Sequence, residues 1–111
     1  LIFVGRKAME INMVKHVIIW NFKEELTADE RAIAAAKIKE GIEGLMGQIE
    51  GLTEIKVYTN PLASSSGDLI LVSTFTDEAA LKAYQVNPKH VAVATYVRSQ
   101  VGSRASFDYE V

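Results

Sequence analysis

Cysteine is absent from this 111-residue chain, and histidine, proline and tryptophan are scarce. Without cysteine the chain can form neither a disulfide nor a thiolate metal site. This absence fits a reducing compartment, so we expect a cytoplasmic protein. The apolar runs are also short. Leu69 to Val72 is typical, far below the ~20 residues that cross a bilayer, so we expect no membrane association.

Charge of one sign is not concentrated anywhere in the sequence. The formal net charge is −2, and acidic and basic residues are interspersed. Nucleic acids and anionic membrane surfaces are bound by clustered Lys and Arg, so we expect neither as a partner. Apolar residues make up 49% of the chain, enough for one globular domain. Because a strand pattern begins directly after Met13, we predict a domain over residues 13–111 and assign no role to the N-terminal extension 1–12.

The apolar pattern predicts the element order β-α-β-β-α-β. Strands are expected at residues 14–22, 52–59, 69–76 and 104–109. Thr27 and Glu30 form a capping box for a first helix, whose apolar stripe reaches Ile49 near Gly47 and Gly51. A second helix follows Asp77 and is broken at Asn87-Pro88, where a cap and a proline start a new helix.

This order predicts an α+β, ferredoxin-like fold, a four-stranded antiparallel sheet with helices on one face. In the first strand, Val14, His16 and Ile18 share one face, whereas Val17 and Ile19 share the other. An apolar face that no helix covers is unusual in a monomer. We therefore expect a homodimer, sheet against sheet, that forms a dimeric α/β barrel.

Three segments of the sequence resemble the stress-responsive A/B barrel (Dabb) family. They are residues 13–17, residues 83–90 with the pattern Tyr-x-x-x-Pro-x-His, and residues 107–109. The resemblance implies the dimeric barrel. One plant member, olivetolic acid cyclase, folds a linear polyketide without a cofactor. Its acid/base histidine falls on His90, its tyrosine partner on Tyr84 and a further pocket histidine on His16.

The sequence also departs from that cyclase. Ala34, Ala35 and Ile38 stand where the cyclase has aromatic pocket residues, and Asn87 replaces a histidine. The same polyketide is therefore not the expected substrate. The resemblance instead implies an apolar pocket that would bind a carbonyl compound or a polyketide-like small molecule.

The resemblance makes His90, Tyr84 and His16 the candidate catalytic residues. The two histidines suit this role because histidine exchanges protons near neutral pH. His90 lies in the first turn of a helix, where the dipole lowers the imidazole pKa and suits a general base. It would remove a proton from the carbon α to a carbonyl. Tyr84 would then hydrogen-bond the enolate, and His16 would orient the substrate.

Other interpretations of the same residues stay open. His90 can be a packing or capping residue at the helix break, and Tyr84 and His16 can belong to the core. The chain would then be a non-catalytic, stress-related or ligand-binding dimer. A cofactor-independent monooxygenase is a further alternative, by fold analogy. We expect no cofactor and no metal, since no acidic residue stands at ligand spacing beside the histidines. A pocket of ~300 Å³ or more that reaches both histidines would favour an enzyme.

Overall fold

The computed structural model describes residues 12–111, which form four strands and three helices. The predicted extension 1–12 therefore lies, apart from its last residue, outside the described residues. In chain order the elements are β1 (Val14–Phe22), α1 (Ala28–Glu43), β2 (Leu52–Tyr58), β3 (Leu69–Phe75), α2 (Glu78–Val86), α3 (Pro88–Gln100) and β4 (Val101–Glu110).

The four strands make one open antiparallel sheet in the order β2-β3-β1-β4. The two strands that carry the apolar alternation most clearly, β1 and β3, are central, and β2 and β4 form the edges. This is the α+β, ferredoxin-like fold that the element order predicts. No helix within residues 12–111 is long and apolar enough to cross a membrane.

The capping box at the start of α1 forms as predicted. The Glu30 amide donates to Thr27 Oγ1 over 3.1 Å, and the Thr27 amide donates to Glu30 Oε1 over 2.8 Å. The predicted end of this helix is wrong, because α1 stops at Glu43 instead of continuing to Ile49. The apolar stripe continues because the turns after α1 still bury Leu45 and Ile49 in the core. Periodicity alone cannot separate a last helical turn from such turns.

The predicted start of the fourth strand is also wrong. β4 begins at Val101, three residues before the expected Arg104, and α3 runs into it without a loop. Val101 ends the helix by donating its amide to Val97 O, and it already pairs with Phe22 of β1. Gly102 and Ser103 carry no strand signature in the sequence, so only the pairing with β1 makes this segment a strand.

The helices cover one face of the sheet and leave the other open. Val14, His16, Ile18 and Trp20 of β1 are buried with core side chains of all three helices, whereas Ile19 is 43% exposed. Strand pairing places apolar residues of all four strands beside Ile19. We call this set the open face: Val17, Ile19, Tyr58, Ile70, Val72, Ala105, Phe107 and Tyr109.

Candidate functional site

The three candidate side chains lie together between the sheet and the helices. His16 extends from β1, Tyr84 from the last turn of α2 and His90 from the first turn of α3. The ring centroids of Tyr84 and His90 are 4.1 Å apart, and those of His16 and Tyr84 are 6.3 Å apart. Phe75 packs on Tyr84 with a centroid separation of 4.9 Å. The three candidate catalytic side chains are therefore close together, while their catalytic roles stay a prediction.

The helix break at Asn87-Pro88 explains why Tyr84 and His90 meet. In an uninterrupted helix, residues six positions apart are separated by ~240° around the axis and face different ways. Here the Asn87 amide donates to Tyr84 O and ends α2, while Asn87 Oδ1 accepts from the Lys89 amide and caps α3. Pro88 occupies the first helical position, where its missing N–H costs nothing. The chain therefore turns between the two residues.

His90 has the character of a neutral base. Burial lowers the pKa of its imidazole below the usual 6.5, and the positive charges of His16, Arg98 and Arg104 lower it further, against a backbone interaction with Gln85. The predicted direction of the pKa shift is right, and burial is its largest cause. His90 Nδ1 is buried and has no hydrogen-bond partner within residues 12–111.

Tyr84 is almost completely buried, at 1% exposure. Burial raises the pKa of its phenol above the usual 10, so the hydroxyl stays protonated at every physiological pH. That hydroxyl also lacks a hydrogen-bond partner in the described part of the chain. A buried, protonated and unpartnered hydroxyl is a donor without an acceptor, which is uncommon in a folded protein.

His16 has a partner that the sequence analysis missed. Its Nδ1 lies 2.5 Å from Asp108 Oδ1, and the backbone of His16 is fixed by Ser73, whose hydroxyl donates to the His16 carbonyl over 2.8 Å. An ionised carboxylate only accepts, so we assign the proton to Nδ1. The expectation considered only acidic residues at ligand spacing along the chain, and Asp108 lies 92 positions from His16. The pairing of β1 with β4 places Asp108 directly opposite His16. In the sequence analysis, Asp108 appeared only within residues 107–109, one of the segments that carry the family resemblance.

A cavity of about 200 Å³ lies beside these residues. Ile18, Trp20, Ile42 and Leu71 form much of its apolar wall, and its polar lining residues are His16, Gln85, His90, Arg98 and Arg104. Tyr84 packs against His90 but is not a lining residue. The cavity is smaller than the ~300 Å³ that would favour an enzyme on size alone.

The positions on α1 that were compared with pocket residues of the cyclase do not line the cavity. Ala34 and Ile38 are buried in the core, and the lining residue from α1 is Ile42. A wider depression of about 620 Å³ lies between α1 and α3, but it is an open surface hollow without a histidine. Within residues 12–111, no group of three or more His, Asp or Glu side chains is placed to hold a metal ion.

Solved structures share this fold. A dimeric, ferredoxin-like protein of unknown function from Bacteroides fragilis has a TM-score of 0.84 and 29% identity, over 89% of this chain and 96% of that one. A hydroxynitrile lyase from Passiflora edulis has a TM-score of 0.70 and 15% identity, over 92% and 95% of the two chains. A cofactor-independent oxygenase from Streptomyces nogalater has a TM-score of 0.66 and 12% identity, over 90% and 93%. The last two likenesses show the fold alone.

Comparison of the sequence with characterised groups gives the family. No curated protein matches the chain. The family model for the stress responsive A/B barrel domain matches residues 14–111, which include every strand and helix described above. The chain therefore belongs to the stress-responsive A/B barrel (Dabb) family.

Proposed function

We propose that this protein is a homodimeric enzyme that carries out acid/base chemistry on a small carbonyl compound without a cofactor. His90 carries the proposal. It lines the cavity, its lowered pKa keeps the imidazole neutral at pH 7, and its Nδ1 has no partner within residues 12–111. A neutral imidazole beside a mostly apolar cavity is suited to accept a proton from carbon.

In the proposed step, His90 removes a proton from the carbon α to the carbonyl. The electron pair of the broken C–H bond forms a C=C bond, and the carbonyl π electrons move to oxygen, which becomes an enolate. The imidazolium then returns a proton to the same carbon or to a neighbouring one. His16, held by Asp108, orients the substrate from the cavity wall.

Tyr84 is proposed as the hydrogen-bond donor to the enolate. Its hydroxyl is protonated and has no partner in the described residues. Because Tyr84 packs against His90 and does not line the cavity, this contact requires a shift of the His90 ring on binding. The raised pKa of the phenol supports a role as donor and excludes one as base.

Fold analogy is consistent with cofactor-free chemistry of this kind. One protein with the same fold is a hydroxynitrile lyase and another is a cofactor-independent oxygenase. At 15% and 12% identity the analogy carries no residue roles, and fold does not fix function. It supports a small-molecule site more than any one reaction.

The homodimer is part of the proposal for a separate reason. The open face presents large apolar side chains to water, with Phe107 at 69% and Tyr58 at 57% exposure in the single chain. The Bacteroides fragilis protein is described as dimeric. A second copy that packs its own open face against the first would remove both surfaces from water with two-fold symmetry.

Deuterium exchange tests the acid/base step without knowledge of the product. Small aldehydes and ketones are incubated with the full chain in D₂O, and loss of the α-proton signal is followed by NMR. We expect enzyme-dependent exchange on some of these compounds and a fall of at least ~10² in the His90→Gln variant. Lys89→Gln, at the neighbouring exposed position, is the control and should exchange normally. Exchange that His90→Gln leaves unchanged would refute the role of His90.

A ligand-binding dimer without turnover is the second candidate. Tyr84, the proposed donor to the enolate, does not line the cavity. This observation fits a site that holds a compound without reacting with it. Binding that shifts the His90 ring resonances, with no exchange on any compound bound, would establish this alternative.

A further inference from the structure

We propose that the compound bound in the cavity carries a carboxylate, held by Arg98 and Arg104, so that the substrate class is a short oxo acid. This inference rests on the proposed function for the position of the carbonyl group, beside the histidines. The carboxylate position rests on the two arginines alone.

The connection between α3 and β4 brings the two arginines to the same cavity. Arg98 lies in the last turn of α3, and Arg104 lies on β4 opposite Trp20. Between them, Val101 joins the helix to the strand without a loop and lines the cavity as well. Both arginines therefore line the same cavity, Arg98 from a helix and Arg104 from a strand.

The cavity contains positive charge that no side chain neutralises. None of its lining residues is Asp or Glu. Within residues 12–111, neither Arg98 nor Arg104 has a carboxylate oxygen within 4.0 Å, and Arg98 donates only a long hydrogen bond of 3.3 Å to Thr95 Oγ1. Both arginines are exposed to solvent, so their guanidinium groups are accessible to an anion that enters the cavity.

Arg31 shows what an arginine with a structural role looks like in this chain. Its guanidinium donates to the backbone carbonyls of Leu26 and Lys23 at 3.0 and 3.2 Å, and it lies 3.9 Å from Asp68. Arg98 and Arg104 have no comparable set of contacts. The planar guanidinium matches a carboxylate in a two-point contact, which makes Arg well suited to this class of ligand.

Size and charge together narrow the substrate class. A cavity of about 200 Å³ has room for roughly seven water-sized groups, at a water's ~30 Å³ share of the liquid. A 2-oxo or 3-oxo acid of four to six carbons is of that order. With its carboxylate on the arginines, its carbonyl lies toward the histidines, and the bound anion offsets the positive charges of Arg98 and Arg104 that act on His90.

The test compares matched ligands and matched variants of the full chain. The probes are 2-oxobutanoate, its methyl ester, butanoate and inorganic phosphate, with binding measured by calorimetry and by the shifts of the histidine ring resonances. We expect both carboxylates to bind, the ester to bind about tenfold more weakly, and affinity to fall with added salt. Arg98→Gln and Arg104→Gln should each weaken carboxylate binding about tenfold, with no effect on the ester.

Lys89→Gln is the control, because it removes a nearby positive charge that does not line this cavity. Unchanged thermal unfolding of the arginine variants shows that they fold. Ester binding as tight as acid binding, or carboxylate binding that neither arginine variant weakens, overturns the inference. Tighter binding of phosphate at the same arginines overturns the carboxylate assignment. Arginine-dependent binding without deuterium exchange leaves the carboxylate site standing and counts against the proposed enzyme.

Discussion

The rings of Tyr84 and His90 lie 4.1 Å apart between centroids, and each residue holds a buried polar atom that no group in residues 12–111 satisfies. An unsatisfied buried donor or acceptor costs ~1–3 kcal/mol of stability. His90 also lines the cavity, so the pair stands beside the candidate ligand site.

Removal of the Tyr84 hydroxyl should stabilise the protein and impair its chemistry. Tyr84→Phe keeps the ring that packs on His90 and Phe75 and deletes only the unpartnered donor. We expect the free energy of unfolding to rise by about 1 kcal/mol, from chemical denaturation, while α-proton exchange falls. A variant that is less stable than the parent would show that the hydroxyl has a structural partner.

Protonation of His90 should weaken the fold and the activity over the same pH range. Because its folded-state pKa is below the unfolded value, the unfolded chain binds the proton more readily at acidic pH. This contribution to stability is complete above about pH 6.5 and is lost as the pH falls through the lowered, folded-state pKa. The rate of exchange should likewise rise as the pH increases through the lowered pKa of His90 and then become constant.

His90→Gln provides the control for this pH dependence. Thermal unfolding of the parent chain and of the variant is compared from pH 7 down to pH 4. As the pH falls, the unfolding temperature of the parent chain should decrease more than that of the variant. A difference that stays constant over the whole range would contradict the lowered pKa.

Loss of the Asp108 carboxylate should leave His16 poorly oriented. His16 is buried at 2% exposure, and Asp108 is its only side-chain partner in the described residues. Asp108→Ala leaves the buried N–H without an acceptor, so we expect a loss of ~1–3 kcal/mol in unfolding free energy. Glu110→Ala, two residues along the same strand, is the control. Nitrogen chemical shifts of the His16 ring report the tautomer and should change only in the Asp108 variant.

A charge on the open face should separate the proposed dimer. Val17→Asp places a carboxylate at the centre of β1, beside Val72 and Phe107. We expect the parent chain to sediment as a dimer at micromolar concentration and this variant as a 12.2 kDa monomer. Ile33→Asp is the matched control, because Ile33 is 57% exposed on α1, away from the open face. A parent chain that is already monomeric would refute the dimer.

Two glycines with left-handed backbone conformations should respond differently to alanine. Gly47 and Gly51 have φ angles of 82° and 83°, a conformation that costs other residues ~1–2 kcal/mol. A Cβ at Gly51 would also lie 2.5 Å from Ala80 Cβ, whereas one at Gly47 meets nothing within 4 Å. Gly51→Ala should therefore cost ~1–3 kcal/mol more than Gly47→Ala, by thermal or chemical unfolding. Equal losses of stability would show that α2 moves away from the added methyl group at little cost.

Much of the fold is written in short stretches of sequence. The alternation of β1, the Thr27 capping box and the Asn87-Pro88 break each depend on a few neighbouring residues, and each forms as predicted. The predicted end of α1 was wrong because Leu45 and Ile49, which follow the helix, are buried in turns and so continue its apolar pattern.

The site was predictable in part for the same reason. His16, Tyr84 and His90 stand out as rare or patterned residues. Asp108 could not be assigned to His16 without the register of β1 against β4, which joins residues 92 positions apart. Arg98 and Arg104 both line the cavity because α3 continues directly into β4. The predicted strand started at Arg104, so this direct connection was not predicted.

The break at Asn87-Pro88 divides the site into two parts with different vulnerabilities. Tyr84 and His90 are brought together by seven consecutive residues, so a related chain can keep this pair through large changes elsewhere. His16 and Asp108 depend on a strand register, and a single-residue insertion in β4 would turn Asp108 to the opposite face. Members of this family can therefore lose the second pair while they keep the first, and the motif around His90 alone does not identify a complete site.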